Sequence, residues 1–103
     1  MAGQSELITI TPETIPVVCE RIRTMLTGRV YRTFDGRYMQ RGVHLELVTP
    51  ADDGLRIIDS EGVLSAYSRH GPASIAFDDL GFTLRYTSLG GRSCVCVYTI
   101  ETE

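Results

Sequence analysis

The spacing of apolar residues divides the chain into a helical part and a longer alternating part. Between residues 14 and 27, apolar side chains recur at helical spacing: Val18, Ile22, Met25 and Leu26. Thr11 or Thr14 can cap the start of this helix, and Gly28 is suited to the left-handed conformation that ends many helices. We therefore predict an amphipathic helix over residues 14–27, preceded by a short strand near residues 6–10.

After Gly28 the pattern becomes that of a β-sheet. Short apolar or alternating runs follow one another, separated by turn clusters: 30–34, 37–39, 43–47, 55–58, 63–68, 74–77, 82–87 and 94–100. Turn signals about every 8–12 residues are typical of an antiparallel meander. Asp35-Gly36 favours a two-residue hairpin turn, which would pair Phe34 with Arg37 and Arg32 with Met39.

Together these elements predict an α+β fold, in which one N-terminal amphipathic helix packs on a mainly antiparallel, meander-like sheet of about six to eight short strands. The helix has an apolar stripe that must be covered, and the sheet is the surface available to cover it. The run 94–100 is apolar on both faces, which predicts a central strand with the helix on one side and a second layer, or a curled sheet, on the other. We expect a single domain over residues 1–103, with residues 1–5 disordered.

Composition limits the class of protein. The chain has 103 residues, of which 43% are hydrophobic and 22% charged, typical of a globular domain. Its apolar runs are far shorter than the roughly 20 residues that span a bilayer, and it begins without a secretion signal. We expect a cytoplasmic protein with no membrane contact. The three cysteines are expected to be reduced, and no spacing indicates a metal site or another cofactor.

Charge is distributed unevenly. The net charge is −3, yet residues 21–41 contain six arginines and one acid, Asp35. All ten basic residues are arginines, so any cationic contact uses a planar guanidinium group. Arginines beside aromatic residues and methionine resemble the composition of a protein interface. The predicted partner-binding residues are Arg32, Phe34, Arg37, Tyr38, Met39 and Arg41.

Three other interpretations stay open. The acidic turn residues could form a surface that imitates a phosphate backbone: Asp52, Asp53, Asp78 and Asp79. The arginine- and tyrosine-rich hairpin could bind nucleic acid, although a pI near 5.3 disfavours this. His44 and Glu46, two residues apart on one strand, could serve a small hydrolase or isomerase. No phosphate loop, dinucleotide fingerprint or nucleophile elbow is present in the sequence.

The sequence thus favours a small non-enzymatic protein-binding domain that acts by occupying a partner's surface. Inhibitors, immunity proteins and adaptors of bacterial or phage origin have this character. The expected partner is another protein, and a homodimer through a sheet edge is a further expectation, because an uncovered edge can pair with its own copy.

Overall fold

A computed structural model describes residues 6–102, and the disorder expected for residues 1–5 concerns residues outside this range. One helix and eight strands follow in chain order: β1 (Glu6–Thr9), α1 (Ile15–Leu26), β2 (Val30–Phe34), β3 (Met39–Ala51), β4 (Gly54–Asp59), β5 (Gly62–Tyr67), β6 (Ser74–Phe77), β7 (Gly81–Thr87) and β8 (Ser93–Ile100). The α+β class is confirmed, with β1 preceding the helix. No helix in the described range is long and apolar enough to cross a membrane.

All eight strands belong to one antiparallel sheet, in the order β1-β6-β7-β8-β2-β3-β4-β5. Two runs pair in chain order, β2 to β5 and β6 to β8, and they join where β2 pairs with β8. Strand β1 adds beside β6. The predicted central position of the run 94–100 is confirmed, because β8 has neighbours on both sides.

The helix begins and ends close to the predicted residues. Thr14 is its N-cap residue: the Thr14 hydroxyl accepts a 2.8 Å hydrogen bond from the Thr11 amide and donates a 2.6 Å bond to the Thr9 carbonyl. At the other end, Gly28 has φ = 76°, a conformation that a side chain disfavours. One face is buried, as the spacing predicts: Ile15, Val18, Cys19, Ile22 and Leu26.

The sheet curls around this helix. Four strands separate β5 from β7 in the sheet order, yet the two approach each other across the concave side. The long strand β3 makes this possible, because it pairs with β2 at one end and with β4 at the other. Its pairing shifts register twice, and such bulges bend a strand and increase its twist. Helix α1 lies nearest β3 and β4 and fills part of the concave side.

Aromatic side chains fill the core beneath the sheet. The Tyr98 ring stacks on the Phe82 ring, with their centroids 4.5 Å apart. Tyr31 extends this row beyond Tyr98, at a centroid distance of 5.7 Å, and Phe77 extends it beyond Phe82, at 5.5 Å. Arg21 of the helix caps this row, with its guanidinium 4.4 Å from the Phe77 ring centroid, and it pairs with Glu6 of β1. These contacts join β1, the helix and the sheet.

Two predictions about the sheet are wrong in detail. The β2–β3 turn is longer than predicted, and Phe34 pairs with Met39 instead of Arg37. The Asp35 carboxylate causes this, since its Oδ1 accepts hydrogen bonds from the amides of Arg37 (2.9 Å) and Tyr38 (2.8 Å). Strand β8 is buried on its inner face alone, while its outward residues Val95 and Val97 are partly exposed. Apolar residues on both faces therefore indicated a central strand, without a second covering layer.

Candidate functional site

A row of side chains crosses the convex side of the sheet and leaves apolar surface exposed. The pairing register places these residues opposite one another on six successive strands, and we call the row the outer stripe: Leu7, Ala76, Thr83, Val97, Phe34 and Met39. Directly opposed residues in an antiparallel sheet share a face. Leu7, Phe34 and Met39 are 69%, 40% and 55% exposed. Five of the six side chains are apolar, Thr83 being the exception, and a row of this kind marks a contact surface more strongly than scattered exposed residues do.

Arginines border the outer stripe on both sides. Arg85 lies two residues from Thr83 on β7, and Arg32 lies two residues from Phe34 on β2, so both side chains point to the convex face. Arg41 follows Met39 by two residues on β3. Across β1, β6, β7, β8, β2 and the first residues of β3, no strand position on this face is acidic. The exposed apolar row therefore lies in a positively charged surround.

One carboxylate holds the Arg41 side of this surface in place. Glu101, just beyond β8, accepts a 3.0 Å hydrogen bond from Arg41 Nε and a 2.8 Å bond from the Gly42 amide. These two bonds lower the pKa of Glu101, the Gly42 amide contributing most. Gly42 has φ = 68°, so the bulge depends on a residue without a side chain. Arg41 is thus partly neutralised, although its side chain is largely exposed.

The predicted partner-binding residues do not share one surface. Arg32, Phe34, Met39 and Arg41 lie on the convex face, since alternate residues of a strand point to the same side. Arg37 is in the turn, with its guanidinium 5.6 Å from the Tyr38 ring centroid. Tyr38 lines a cavity on the opposite, concave side. The sequence did not indicate Leu7, Val97 or Arg85, because only the strand order brings them beside Phe34 and Arg32.

The cavity on the concave side, which we call the inner cleft, has a volume of about 420 Å³. It lies where α1 does not cover the sheet, between β5 on one side and β7 and β8 on the other. Three carboxylates line it, those of Asp35, Asp59 and Glu61, and no arginine or histidine is among its lining residues. Asp35 lies in the β2–β3 turn, and Asp59 and Glu61 lie at the β4–β5 turn, so the curl of the sheet brings two turns together.

Tyrosine side chains form much of the remaining wall of the inner cleft. Tyr38 and Tyr86 line it, and Tyr98 lies at its base. Tyr98 is 2% exposed, and burial raises the pKa of its phenol well above the ordinary value. The neighbouring Cys96 thiol has its pKa raised to about 11, also by burial. Both groups are therefore protonated at neutral pH, and Cys96 is a weak nucleophile.

Asp59 has structural contacts as well as a place in the inner cleft. Its Oδ1 accepts hydrogen bonds from the amides of Glu61 (2.9 Å) and Gly62 (3.1 Å), which shapes the β4–β5 turn. Its Oδ2 accepts a 3.2 Å bond from the buried Tyr31 hydroxyl. The Glu61 carboxylate, in contrast, is exposed and has a single long contact, 3.5 Å from the Gln40 amide. Removing the Glu61 charge should thus disturb the fold least.

The acidic turns lie in two separate places. Asp52 and Asp53 occupy the β3–β4 turn, where Arg69 pairs with both at 2.9 and 3.2 Å. Asp78 and Asp79 occupy the β6–β7 turn, where Asp78 Oδ1 accepts a 2.8 Å hydrogen bond from the Leu80 amide. Arg69 offsets much of the charge of Asp52 and Asp53, and two strands, β8 and β2, lie between the β6–β7 pair and the β3–β4 pair in the sheet order. The fold does not merge these four acids into one turn surface.

The residues of the enzyme alternative lie on β3. His44 pairs with Val30, and its amide donates a 3.0 Å hydrogen bond to the Ser60 hydroxyl. Both His44 and Glu46 are exposed, and neither lines the inner cleft or the second cavity, of about 350 Å³, beside α1. Within residues 6–102, no group of three or more His, Cys, Asp or Glu residues is placed to hold a metal ion.

The three cysteines are all reduced, with Cys19 and Cys96 buried and Cys94 partly exposed. Comparisons with protein-family models, curated proteins and solved structures found no match to this chain.

Proposed function

We propose that this protein is a small non-enzymatic protein-binding domain that occupies a partner's surface with its convex face. The observation that carries the proposal is the outer stripe, an apolar row with arginines on both sides. Phe, Met and Arg are enriched in protein interfaces, and burying exposed apolar side chains supplies most of the free energy of association. A stripe that crosses six strands also offers a continuous, rigid contact surface.

Charge complementarity defines the partner. Arg32 and Arg85 lie on opposite sides of the stripe, and the strand positions of this face carry no carboxylate. Glu101, just beyond β8, interacts chiefly with the Gly42 amide and Arg41 and less with Arg32, so the face keeps a net positive charge. A matching surface presents apolar side chains bordered by Asp or Glu. Arginine favours such contacts, because its planar guanidinium can bind a carboxylate through two parallel hydrogen bonds. The partner is thus expected to be a protein with an acidic-rimmed apolar patch.

Nucleic acid is the weaker alternative for the same arginines. A phosphate backbone would satisfy Arg32 and Arg85, yet it would leave Leu7, Phe34 and Met39 without an apolar partner. The net charge of −3 also opposes general affinity for polyanions. A mobility-shift assay over a salt series separates the two possibilities: retention of nucleic acid at low salt, abolished by Arg32→Glu, would favour this alternative.

The test of the protein-binding proposal begins with the tagged chain as bait in lysate, followed by purification of the captured protein and calorimetry on the pure pair. The variants Phe34→Asp and Leu7→Asp each place a charge within the stripe, at positions that are already exposed. Leu89→Asp is the matched control, since Leu89 is 82% exposed and lies in the β7–β8 loop outside the stripe.

We expect Phe34→Asp to weaken binding about 30-fold, as for an interface residue that contributes about 2 kcal/mol. Leu89→Asp should change the Kd less than about twofold, within the scatter of surface substitutions. Arg32→Glu should weaken the complex and reduce its dependence on salt. Equal binding by Phe34→Asp and wild-type protein, or an equal loss with Leu89→Asp, would contradict the use of the convex face.

A further inference from the structure

We propose that the inner cleft is a second binding site, independent of the convex face, and that it takes a small organic cation bearing an ammonium or guanidinium group. Its volume of about 420 Å³ is within the range of small-ligand pockets, roughly 300–1,000 Å³. The cleft lies on the concave side of the sheet, whereas the outer stripe lies on the convex side. A ligand could therefore occupy it without displacing a protein from the stripe.

The charge of the cleft determines the sign of its ligand. Asp35, Asp59 and Glu61 line it, and its lining residues include no arginine or histidine. The Asp35 pKa is lowered by the Tyr38 and Arg37 amides, which keeps this carboxylate ionised at neutral pH. Asp35 Oδ1 accepts hydrogen bonds from both of those amides, while Asp35 Oδ2 has no hydrogen bond within residues 6–102. At least one oxygen of this acid is thus available to a ligand.

Aromatic walls favour an organic cation. The rings of Tyr38 and Tyr86 line the same space as the carboxylates. A cation over an aromatic face is stabilised by the ring quadrupole, and an organic cation also buries its methylene groups against such rings. The Tyr38 ring already has one such contact, since the Arg37 guanidinium lies 5.6 Å from its centroid.

A hydroxyl at the base of the cleft adds a polar contact for the ligand. Tyr98 is 2% exposed and lines the cleft, and its hydroxyl pairs with the Cys96 thiol. A thiol is a weak hydrogen-bond partner, and a hydroxyl oxygen keeps lone pairs that can accept a bond from an N–H group. An organic cation in the cleft would supply such an N–H group beside the carboxylates.

The test uses three probes of matched shape on the full chain: benzylamine as the cation, benzyl alcohol as the neutral analogue and benzoate as the anion. Calorimetry gives the Kd, and amide chemical shifts locate the site. We expect benzylamine to bind with a Kd of roughly 10 μM to 1 mM and to shift the amides of Gly62, Leu64 and Ser65. Benzyl alcohol should bind at least about tenfold more weakly, and benzoate should show no binding.

Two variants and a control assign the site. Glu61→Gln removes a charge that has little structural contact, and Tyr38→Ala removes an exposed aromatic ring from the wall of the cleft. Each variant should raise the Kd for benzylamine at least about threefold. Glu46→Gln, an exposed acid outside the cleft, should leave the Kd within about twofold. Phe34→Asp should also leave it unchanged, so failure of the cleft and failure of the convex face are distinguishable.

A Gly-Ser peptide with one arginine, compared with agmatine, identifies the source of the cation. Preference for agmatine supports a free amine as the ligand, and equal or better binding of the peptide supports a side chain of another protein. Calcium chloride alone tests a metal ion in the same place. Binding of calcium in preference to benzylamine would overturn the proposal, as would equal binding of all three benzyl probes or amide shifts outside the cleft.

Discussion

The Tyr31 hydroxyl donates a 3.2 Å hydrogen bond to Oδ2 of Asp59, and this bond joins the buried centre of the sheet to the β4–β5 turn that lines the inner cleft. Tyr31 is fully buried, and burial, with the nearby Asp59 charge, raises the pKa of its phenol well above the ordinary value. Tyr31 is therefore a hydrogen-bond donor throughout the physiological pH range. The bond orients a carboxylate that also shapes its own turn.

Removing this hydroxyl should destabilise the fold measurably. We expect Tyr31→Phe to lower the free energy of unfolding by about 1–2 kcal/mol, because a partly buried bond from a fully buried hydroxyl to a charged acceptor is lost without a change in packing. The matched control is Tyr67→Phe, which removes a hydroxyl bonded to Arg56 at 2.8 Å in a more exposed position, and should cost about 0.5 kcal/mol or less. Urea denaturation of the wild type and both variants measures the two changes in the free energy of unfolding. Equal changes would show that burial of the hydroxyl does not determine how much stability is lost.

Stability should depend on pH through Glu101. Its pKa in the folded protein is lowered from the ordinary 4.5 by the Gly42 amide and Arg41. A lowered folded-state pKa means that the carboxylate stabilises the fold fully above about pH 4.5, and that this contribution is lost as the pH falls through the folded-state value. Asp35, whose pKa is also lowered, acts in the same direction.

Glu101→Gln should accordingly be less stable than wild type at neutral pH, and the difference should shrink on acidification toward about pH 3. Urea denaturation at intervals of half a pH unit measures it. Glu13→Gln serves as the control, since the Glu13 side chain is exposed and the described residues give it no hydrogen bond. A stability difference between Glu101→Gln and wild type that grows on acidification would contradict a lowered pKa for Glu101 in the folded protein.

Close approach of β7 to β8 makes Gly81 intolerant of a side chain. A Cβ atom at this position would lie 1.8 Å from the Tyr98 carbonyl oxygen and 3.1 Å from Thr99 Cα, so the backbone would have to move. We expect Gly81→Ala to cost about 3 kcal/mol, at the upper end of overpacking penalties. Thermal and urea denaturation provide the measurement.

Gly90→Ala is the comparison for this variant, because the nearest atom to its Cβ would be Ser88 Oγ at 3.9 Å. It should change the free energy of unfolding by less than about 0.5 kcal/mol. If both alanine variants lose the same stability, the loss reflects glycine content and not the contact with Tyr98.

Local residue patterns were enough to locate the helix and most of the strands. Apolar spacing placed α1 to within a residue or two, because a helix with one buried face needs contacts every three or four residues. Alternation likewise placed Arg32 and Phe34 on the opposite face from Tyr31. The turn at Asp35-Gly36 was located correctly, but its length was wrong, since the Asp35 carboxylate selects a wider turn through two amide bonds.

Which of these elements meet depends on packing across the whole sheet, and local patterns do not predict it. Leu7 and Met39 lie 32 positions apart in the chain and occupy opposite ends of the same stripe, and no local pattern encodes that. Asp35 and Glu61 line one cavity because the sheet curls, which depends on bulges in β3 and on packing against α1. Strand order and curvature are set by the summed packing of many side chains, whereas a helix or turn is set by residues close in sequence. For that reason the sequence predicted which residues could bind, and the fold decided which of them share a surface.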